Sequence, residues 1–363
     1  MVTEVRGPVI TGWSAVSPYG IGREAFMEGA RSGRTTAVAL DCEQWSGPDQ
    51  QACLVPDFDI RGELGRKGTR SMDRVTGLAV TAVGRLLKDG GEPIGDGGDD
   101  RAALVLGTNT GSAQSMMALT HDTFVQDKPY LVDPAQFPNT VMNCASGQCA
   151  IWYGLKGPNA TVAGGRSSGL LALNYARRLL AAGRARTVLC GAVEEYSSAR
   201  SWLEWHTRGD DESDVVLGEG CAVLRLSPAD AVAESERLAE VLTVEAAVMG
   251  PDGAAAPVAA VVERALRRAG AGPEDVWAVS PSSPAGALGG QERSGLQSLF
   301  DGSGVRWVPQ PGVIGDNAAA TAAFQMVSVL TAAEDAPQAR GRVAVITSVD
   351  RDGAIACALL RLL

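Results

Sequence analysis

The residues best suited to chemistry lie in a glycine-rich turn between a predicted strand and a predicted helix. The strand covers residues 160–163, the turn covers 164–169 (GGRSSG), and a long helix covers 170–182. A sharp turn of this kind exposes one side chain, and the N–H groups at the start of the helix favour negative charge there. The pattern predicts a site centred on Arg166, although a strand-to-helix turn without chemistry has the same pattern.

Histidines and cysteines limit the mechanisms that the chain can use. Its two histidines are His121 and His206, so a mechanism that needs a histidine pair must use these two. Both lie in loop-like stretches, which favours an interpretation as surface histidines. Seven scattered cysteines and the absence of a C-x-x-C pair favour reduced thiols in a cytoplasmic protein over a disulfide framework.

Composition excludes several classes of protein. The chain has 363 residues, of which 45% are apolar and 20% charged, enough for one large domain or two fused halves. A net charge of -10 argues against binding to nucleic acid or to anionic membrane surfaces. No apolar run approaches the roughly 20 residues that cross a bilayer, and the first residues lack the pattern of a secretion signal. We therefore expect a cytoplasmic protein.

The elements that would position the turn alternate between strand and helix in both halves of the chain. Strands are predicted at 8–13, 102–107, 160–163, 186–193, 221–226, 238–248, 275–279, 343–347 and 355–361. Helices are predicted at 24–30, 72–87, 142–155, 170–182, 255–270, 289–300 and 318–333, and a surface loop at 200–214. This alternation predicts a layered α/β fold with two related halves, 1–232 and 233–363.

Four motifs of the first half resemble the β-ketoacyl synthases of the thiolase superfamily. They are residues 9–20 (VITGWSAVSPYG), 72–74 (MDR), 161–170 (TVAGGRSSGL) and 217–220 (LGEG). The resemblance extends over nearly all of residues 1–230 and is weaker in the shorter second half. It implies a thiolase-like fold with α-β-α-β-α layers, no cofactor and no metal.

The family catalyses a Claisen condensation with one cysteine and two histidines. The cysteine carries the acyl chain, and the histidines assist malonyl decarboxylation and stabilise the oxyanion. The resemblance places the cysteine position at Arg166 and the two histidine positions at Ser282 and Asp316; the glycine-rich oxyanion loop corresponds to residues 348–353 (SVDRDG). A guanidinium cannot form a thioester. These positions are therefore predicted to be vestigial, with no catalytic residue for condensation.

A ketosynthase scaffold that lacks its catalytic residues resembles the chain-length factors of type II polyketide synthases. The resemblance implies a heterodimer with a catalytic ketosynthase, and contact with an acyl carrier protein mainly through that partner. The chain would close the acyl tunnel and set the length of a polyketide. Chain-length factors usually have glutamine at the position of Arg166, so this chain indicates a divergent branch, one that could serve polyene chains.

By the same resemblance, residues 138–148 (PNTVMNCASGQ) form the wall of the acyl tunnel. The candidate tunnel or interface residues are Thr140, Val141, Cys144 and Gln148. An ordinary interface helix is the alternative interpretation of this segment.

Two further functions remain open from the sequence. One is a decarboxylase or acyltransferase on the same scaffold, and the other is a homodimeric scaffold paralogue. Ser167 and Ser168 are available as nucleophiles, but no histidine or acid is placed in the sequence to activate them. A buried cation must be paired, and the resemblance places Asp316 at a histidine position that faces Arg166. We therefore expect Arg166 to bind Asp316, with Glu194 or Glu195, which the resemblance also brings near the site, as the second choice.

Overall fold

The structure is a computed structural model that describes residues 7–90, 99–308 and 313–363. The strands are β1 (Val9–Ser17), β2 (Gly20–Ile21), β3 (Val38–Ala39), β4 (Gln51–Ala52), β5 (Ala102–Thr108), β6 (Asn159–Ala163), β7 (Thr187–Glu194), β8 (Gly220–Ser227), β9 (Ala239–Val248), β10 (Val276–Ser280), β11 (Arg306–Trp307), β12 (Val343–Val349) and β13 (Ala354–Leu362). The helices are α1 (Arg23–Ser32), α2 (Ile60–Leu64), α3 (Arg74–Asp89), α4 (Ala113–Val125), α5 (Cys144–Tyr153), α6 (Ser168–Ala181), α7 (Ser198–Thr207), α8 (Ala255–Ala269), α9 (Gly286–Phe300) and α10 (Thr321–Glu334).

The two halves of the chain repeat one strand topology. In the first half the strand order is β1-β8-β7-β5-β6, and in the second it is β9-β13-β12-β10-β11. In each half the last three strands of that order are parallel to one another, and the other pairings are antiparallel. A short antiparallel pairing of β1 with β9 joins the two sets. The prediction of two related α/β halves is confirmed, and the predicted boundary at 232 and 233 lies in the connection between β8 and β9.

Five layers follow from where the apolar residues are buried. Helix α10 is buried on nearly every side, whereas α6 buries one broad apolar face, and the two helices pack between the inner faces of the two strand sets. Helices α3 and α5 cover the outer face of the first set, and α8 and α9 cover the outer face of the second. The predicted α-β-α-β-α layering is therefore confirmed, and it places the start of α6 close to the midplane of the molecule.

Several element predictions were wrong in position. The loop predicted at 200–214 is mostly helix α7, which begins because the Ser197 hydroxyl caps the N–H of Arg200. His121 lies on α4 and His206 on α7, so neither is in a loop, but both are exposed, as the surface interpretation requires. The predicted helix 142–155 begins at Cys144, so Thr140 and Val141 lie on a short 3-10 turn and the residue after it. Among the described residues, no helix is both long and apolar enough to cross a bilayer.

Candidate functional site

The turn that carries Arg166 is held by hydrogen bonds and by a glycine in the left-handed region. After β6, a 3-10 turn at Gly165–Ser167 leads directly into α6. The Ser168 hydroxyl accepts the N–H of Gly164 at 2.9 Å, donates to the carbonyl of Gly165 at 2.7 Å, and lies 3.1 Å from the carbonyl of Thr108. Gly165 has φ +56°, which favours glycine. Arg166 is therefore fixed in the turn directly before α6, with 8% of its surface exposed.

The guanidinium of Arg166 forms a two-point ion pair with Asp316. Nη1 donates to Oδ1 at 2.8 Å and Nη2 donates to Oδ2 at 2.7 Å, while the Thr321 hydroxyl lies 3.5 Å from Nη1. Parallel hydrogen bonds of this kind are the strong geometry for an arginine and a carboxylate. The predicted pairing of Arg166 with Asp316 is confirmed, and the second choices, Glu194 and Glu195, are held elsewhere.

Burial and pairing shift the pKa of the Asp316 carboxyl in opposite directions. Burial alone would raise the pKa of Asp316, but the charge and hydrogen bonds of Arg166 outweigh it and hold that pKa well below its usual range. For Arg166, burial would lower the pKa, and Asp316 raises it above its ordinary value. Both groups are therefore charged at neutral pH, and the site holds a charged pair where a thiol nucleophile would need a base.

The loop that carries Asp316 is anchored to the first half of the chain. The N–H of Asp316 donates to the carbonyl of Val216, and its carbonyl accepts the N–H of Gly218. Arg200, on α7, donates to the carbonyls of Glu195, Gly218 and Asp316 at 2.7–2.9 Å. Arg200 thus connects α7 to both sides of the site, a role that sequence reasoning missed because carbonyl partners have no signature in the sequence.

Ser282 lies in a separate hydrogen-bond network around the buried carboxyl of Glu292. Its N–H and hydroxyl both contact the carboxylate of Glu292, and the N–H of Val349 donates to the Ser282 hydroxyl at 3.0 Å. Glu292 also accepts the Thr347 hydroxyl at 2.7 Å, and burial raises its pKa. Ser282 therefore binds the end of β12. Among the described residues, no hydrogen bond connects it to the Arg166–Asp316 pair.

Two buried glutamates follow each other at the end of β7. Glu194 accepts the N–H of Asn109 at 3.2 Å, and burial raises its pKa to about 7. Glu195 accepts the Ser112 hydroxyl at 2.9 Å and the N–H of Val75 at 3.1 Å. Burial, together with the nearby charge of Asp73, raises the pKa of Glu195 to about 8.

We expect stability to fall as the pH rises through neutrality, because of these glutamates. A carboxyl whose folded pKa is raised binds its proton more tightly in the folded chain, so its contribution is complete below about pH 4 and is lost as the pH rises through the folded pKa. The free energy of unfolding is measured in urea at pH 5 and at pH 8. With Glu194 replaced by Gln, its decrease between these two pH values should be smaller by about 3 kcal/mol. An unchanged difference between the two pH values would contradict the assignment to Glu194.

The Arg166–Asp316 pair has the opposite effect on stability at lower pH, since its stabilisation is lost as the pH falls below about 4.

The candidate tunnel residues lie on the surface and not in the core. Val141 is exposed, and Thr140, Cys144 and Gln148 are half-buried. On α5, Cys144 and Gln148 are one turn apart and share the outward face with Ile151. Burial and the charge of Asp73 raise the pKa of the Cys144 thiol, so this cysteine is not activated as a nucleophile.

These residues belong to a larger exposed apolar surface. Helix α4 packs against the 3-10 turn Phe137–Thr140, and that turn packs against α5. We use the name apolar surface for the exposed residues Met117, Phe124, Val125, Tyr130, Leu131, Phe137, Val141, Met142 and Ile151. Phe124 is 82% exposed and Ile151 is 77% exposed. A group of exposed apolar residues on neighbouring elements is typical of an interaction site.

Comparison with known proteins gives one family and several similar chains. The family described as "Beta-ketoacyl synthase, N-terminal domain" matches residues 8–231. The chain is 30% identical over 242 residues to 3-oxoacyl-[acyl-carrier-protein] synthase 2 of Vibrio harveyi, and 29% identical over 245 residues to the same synthase of Synechocystis sp.. These alignments cover 61% of this chain and 57–58% of the two relatives, so the chain spans less than two thirds of the curated relatives' length.

Solved structures match the whole chain. The structure described as "The ishigamide ketosynthase/chain length factor" is similar with a TM-score of 0.93 and 44% identity, covering 98% of this chain and 99% of that one. A β-ketoacyl synthase from Burkholderia phymatum STM815 has a TM-score of 0.80 at 18% identity, covering 99% and 100% of the two chains, and shares the fold. The thiolase-like fold is thus confirmed. With a family match over more than half of its length, this chain belongs to the β-ketoacyl synthase family.

Proposed function

We propose that this chain is a noncatalytic chain-length factor that pairs with a cysteine-containing ketosynthase of a type II polyketide synthase. The observation that carries the proposal is the Arg166–Asp316 ion pair, which takes the place of a nucleophile and its base. A fully protonated guanidinium cannot carry an acyl chain, and Asp316 has no proton to exchange at neutral pH. The similarity to a ketosynthase/chain-length-factor structure supports the same function.

The apolar surface supports a protein partner. It lies beside β6, which is an edge strand that pairs with β5 and whose residues are partly exposed. The Ser146 and Thr161 hydroxyls, 2.7 Å apart, connect α5 to this edge. An exposed strand edge next to exposed aromatic and aliphatic side chains is the usual composition of a stable protein interface. A catalytic ketosynthase of the same fold is the partner that we propose.

Within that pair, Cys144 and Gln148 would close the partner's acyl tunnel. They occupy the outward face of α5 beside Thr140 and Val141, where a growing chain that leaves the partner's active site would meet them. A larger side chain there would stop elongation through the cost of overpacking. The net charge of -10 is a poor match for an acidic carrier protein, so carrier docking is assigned to the partner.

A decarboxylase or acyltransferase is the second candidate function, and the contacts at the turn disfavour it. The Ser167 hydroxyl contacts the Ser348 hydroxyl at 3.2 Å, and the Ser168 hydroxyl donates to backbone carbonyls. Both histidines of the chain are exposed on α4 and α7. No base among the described residues therefore activates either serine.

We expect the chain alone to make no ketoacyl product from acyl- and malonyl-carrier protein. Mass spectrometry should find no acyl group on the peptide that contains residues 164–169. With a cysteine-containing ketosynthase the chain should form a 1:1 complex that makes the product. An acylated residue in the turn would overturn the proposal, as would a ketosynthase whose activity and products do not change when this chain is added.

A further inference from the structure

The carboxylate of Asp350 occupies the turn at Arg166 from the opposite half of the chain. Asp350 directly follows β12, and its Oδ2 accepts the backbone N–H of Arg166. Its Oδ1 accepts the N–H of Asp352 at 3.2 Å. A Cβ placed on Gly165 would overlap Oδ2 of Asp350, so the carboxylate fills the space that the glycine leaves.

This contact uses the donor that an incoming anion would need. A backbone N–H at the start of a helix is a ready donor for a negatively charged oxygen, and acyl-transfer sites use such donors to stabilise an oxyanion. Here Asp350 has already taken that N–H, and Asp316 has taken the guanidinium of the same residue. The backbone N–H and the guanidinium of Arg166 are thus bound by carboxylates from two different loops.

A second ion pair holds the loop in this position. The Arg351 guanidinium donates to Glu204 at 3.1 Å and to the Thr207 hydroxyl at 3.0 Å, both on α7. Glu212 lies 3.9 Å from the same guanidinium. Around the turn, four carboxylates lie among three guanidinium groups, so negative charge is in slight excess. The residues are Arg166, Arg200, Arg351, Glu204, Glu212, Asp316 and Asp350.

We propose that Asp350 is an internal anion that closes the turn at Arg166 to carrier-bound malonyl and acyl thioesters. It blocks the N–H that a thioester oxygen would need, and its charge repels the malonyl carboxylate. The inference deepens the proposed function and rests on it in one respect: a carrier-bound chain excluded here is left to the partner's thiol. Asp350 is a positioning residue, since it acts by binding the backbone N–H of Arg166 in the turn.

Alkylation of an introduced thiol tests the closure without any product assay. Arg166→Cys places a thiol at the turn, and the whole chain is treated with neutral iodoacetamide or anionic iodoacetate. The thiolate sulfur bonds to the reagent's CH₂ carbon, and iodide leaves. Peptide mass spectrometry gives the rate at that position separately for each reagent. The ratio of the two rates reports the local charge, because the thiol's own reactivity cancels.

We expect the Arg166→Cys thiol to react slowly with both reagents and more slowly with iodoacetate. Adding Asp350→Asn should raise the iodoacetate rate relative to iodoacetamide by about tenfold or more. Arg166→Cys combined with Asp352→Asn is the matched control. Asp352 is exposed on the same loop and does not contact Arg166, so this substitution also removes one negative charge but leaves Asp350 in place. Cys190 and Cys221, fully buried, should stay unmodified while the fold is intact.

Equal rate ratios with and without Asp350→Asn would overturn the inference, and so would an Asp352→Asn effect of the same size. Fast alkylation of the Arg166→Cys thiol with Asp350 in place would overturn it as well. None of these outcomes depends on partner binding or product formation. The proposed role of Asp350 can therefore be disproved while the proposed chain-length function holds, and the chain-length function can be disproved while the role of Asp350 holds.

Discussion

Arg166→Ala is expected to lower the free energy of unfolding by about 3–5 kcal/mol. The change removes the guanidinium from the Asp316 carboxylate, whose side chain is 16% exposed in the intact pair and whose remaining donor there is the N–H of Ala318. An ionised carboxylate that is buried without its cation keeps its desolvation cost and loses the compensating charge. Urea unfolding at pH 7, followed by circular dichroism, measures the difference.

Two controls separate pairing from packing. Arg31 makes the same two-point contact with Asp335, at 2.7 and 2.8 Å, but on the surface. Arg31→Ala should therefore cost far less than Arg166→Ala, because exposed pairs contribute little. Arg166→Met combined with Asp316→Leu should recover most of the lost stability, since an apolar pair needs no charge compensation. Equal losses for Arg166→Ala and Arg31→Ala would contradict a structural role for the buried pair.

Ile151→Asp is expected to weaken binding to the ketosynthase about 30-fold or more while leaving this chain folded. Ile151 is 77% exposed in the isolated chain, so the change costs little intramolecular packing. In the proposed complex it would bury an unpaired carboxylate at the centre of an apolar interface, where single truncations cost about 2 kcal/mol or more. Analytical ultracentrifugation or titration calorimetry with the purified partner measures the loss.

Val248→Asp is the matched control for the interface. Val248 is 79% exposed, but it lies at the end of β9 in the second half, outside the apolar surface. It should leave the affinity unchanged. If both substitutions weaken binding equally, or if neither does, the partner does not bind through α5.

Expressed without a partner, the unsubstituted chain should self-associate more strongly than the Ile151→Asp variant, because the new carboxylate interrupts the apolar surface.

The architecture was predictable because strand and helix patterns alternate in the same order in both halves. Helices α4 and α7 were missed for a physical reason. Helix α4 has exposed apolar residues such as Met117 and Phe124 where a free-standing helix would be polar, so it lacks a single apolar stripe. The polar, acidic residues around α7 are typical of a loop, and only the Ser197 cap indicates a helix.

The Arg166–Asp316 pair could be predicted because family resemblance placed both residues at one site and a buried cation requires an anion. Asp350 could not be predicted in the same way. It lies 184 residues from Arg166 in the chain, and its contact is to a backbone N–H, which no residue type signals. Arg200 is a similar case, since its partners are carbonyl oxygens of three separate segments. Sequence patterns locate side chains that need each other, whereas backbone partners depend on the folded geometry.

The most direct measurement is the mass of the carrier-bound product that one ketosynthase makes with three versions of this chain. The versions are the unsubstituted chain, Cys144→Trp, and Cys144→Ser as the control for loss of the thiol. Native mass spectrometry first verifies that all three form the 1:1 complex. We predict that Cys144→Trp shortens the product by at least one two-carbon unit and that Cys144→Ser does not, because the larger ring fills tunnel volume. Identical product lengths from all three complexes would contradict the claim that this chain sets the length of the polyketide.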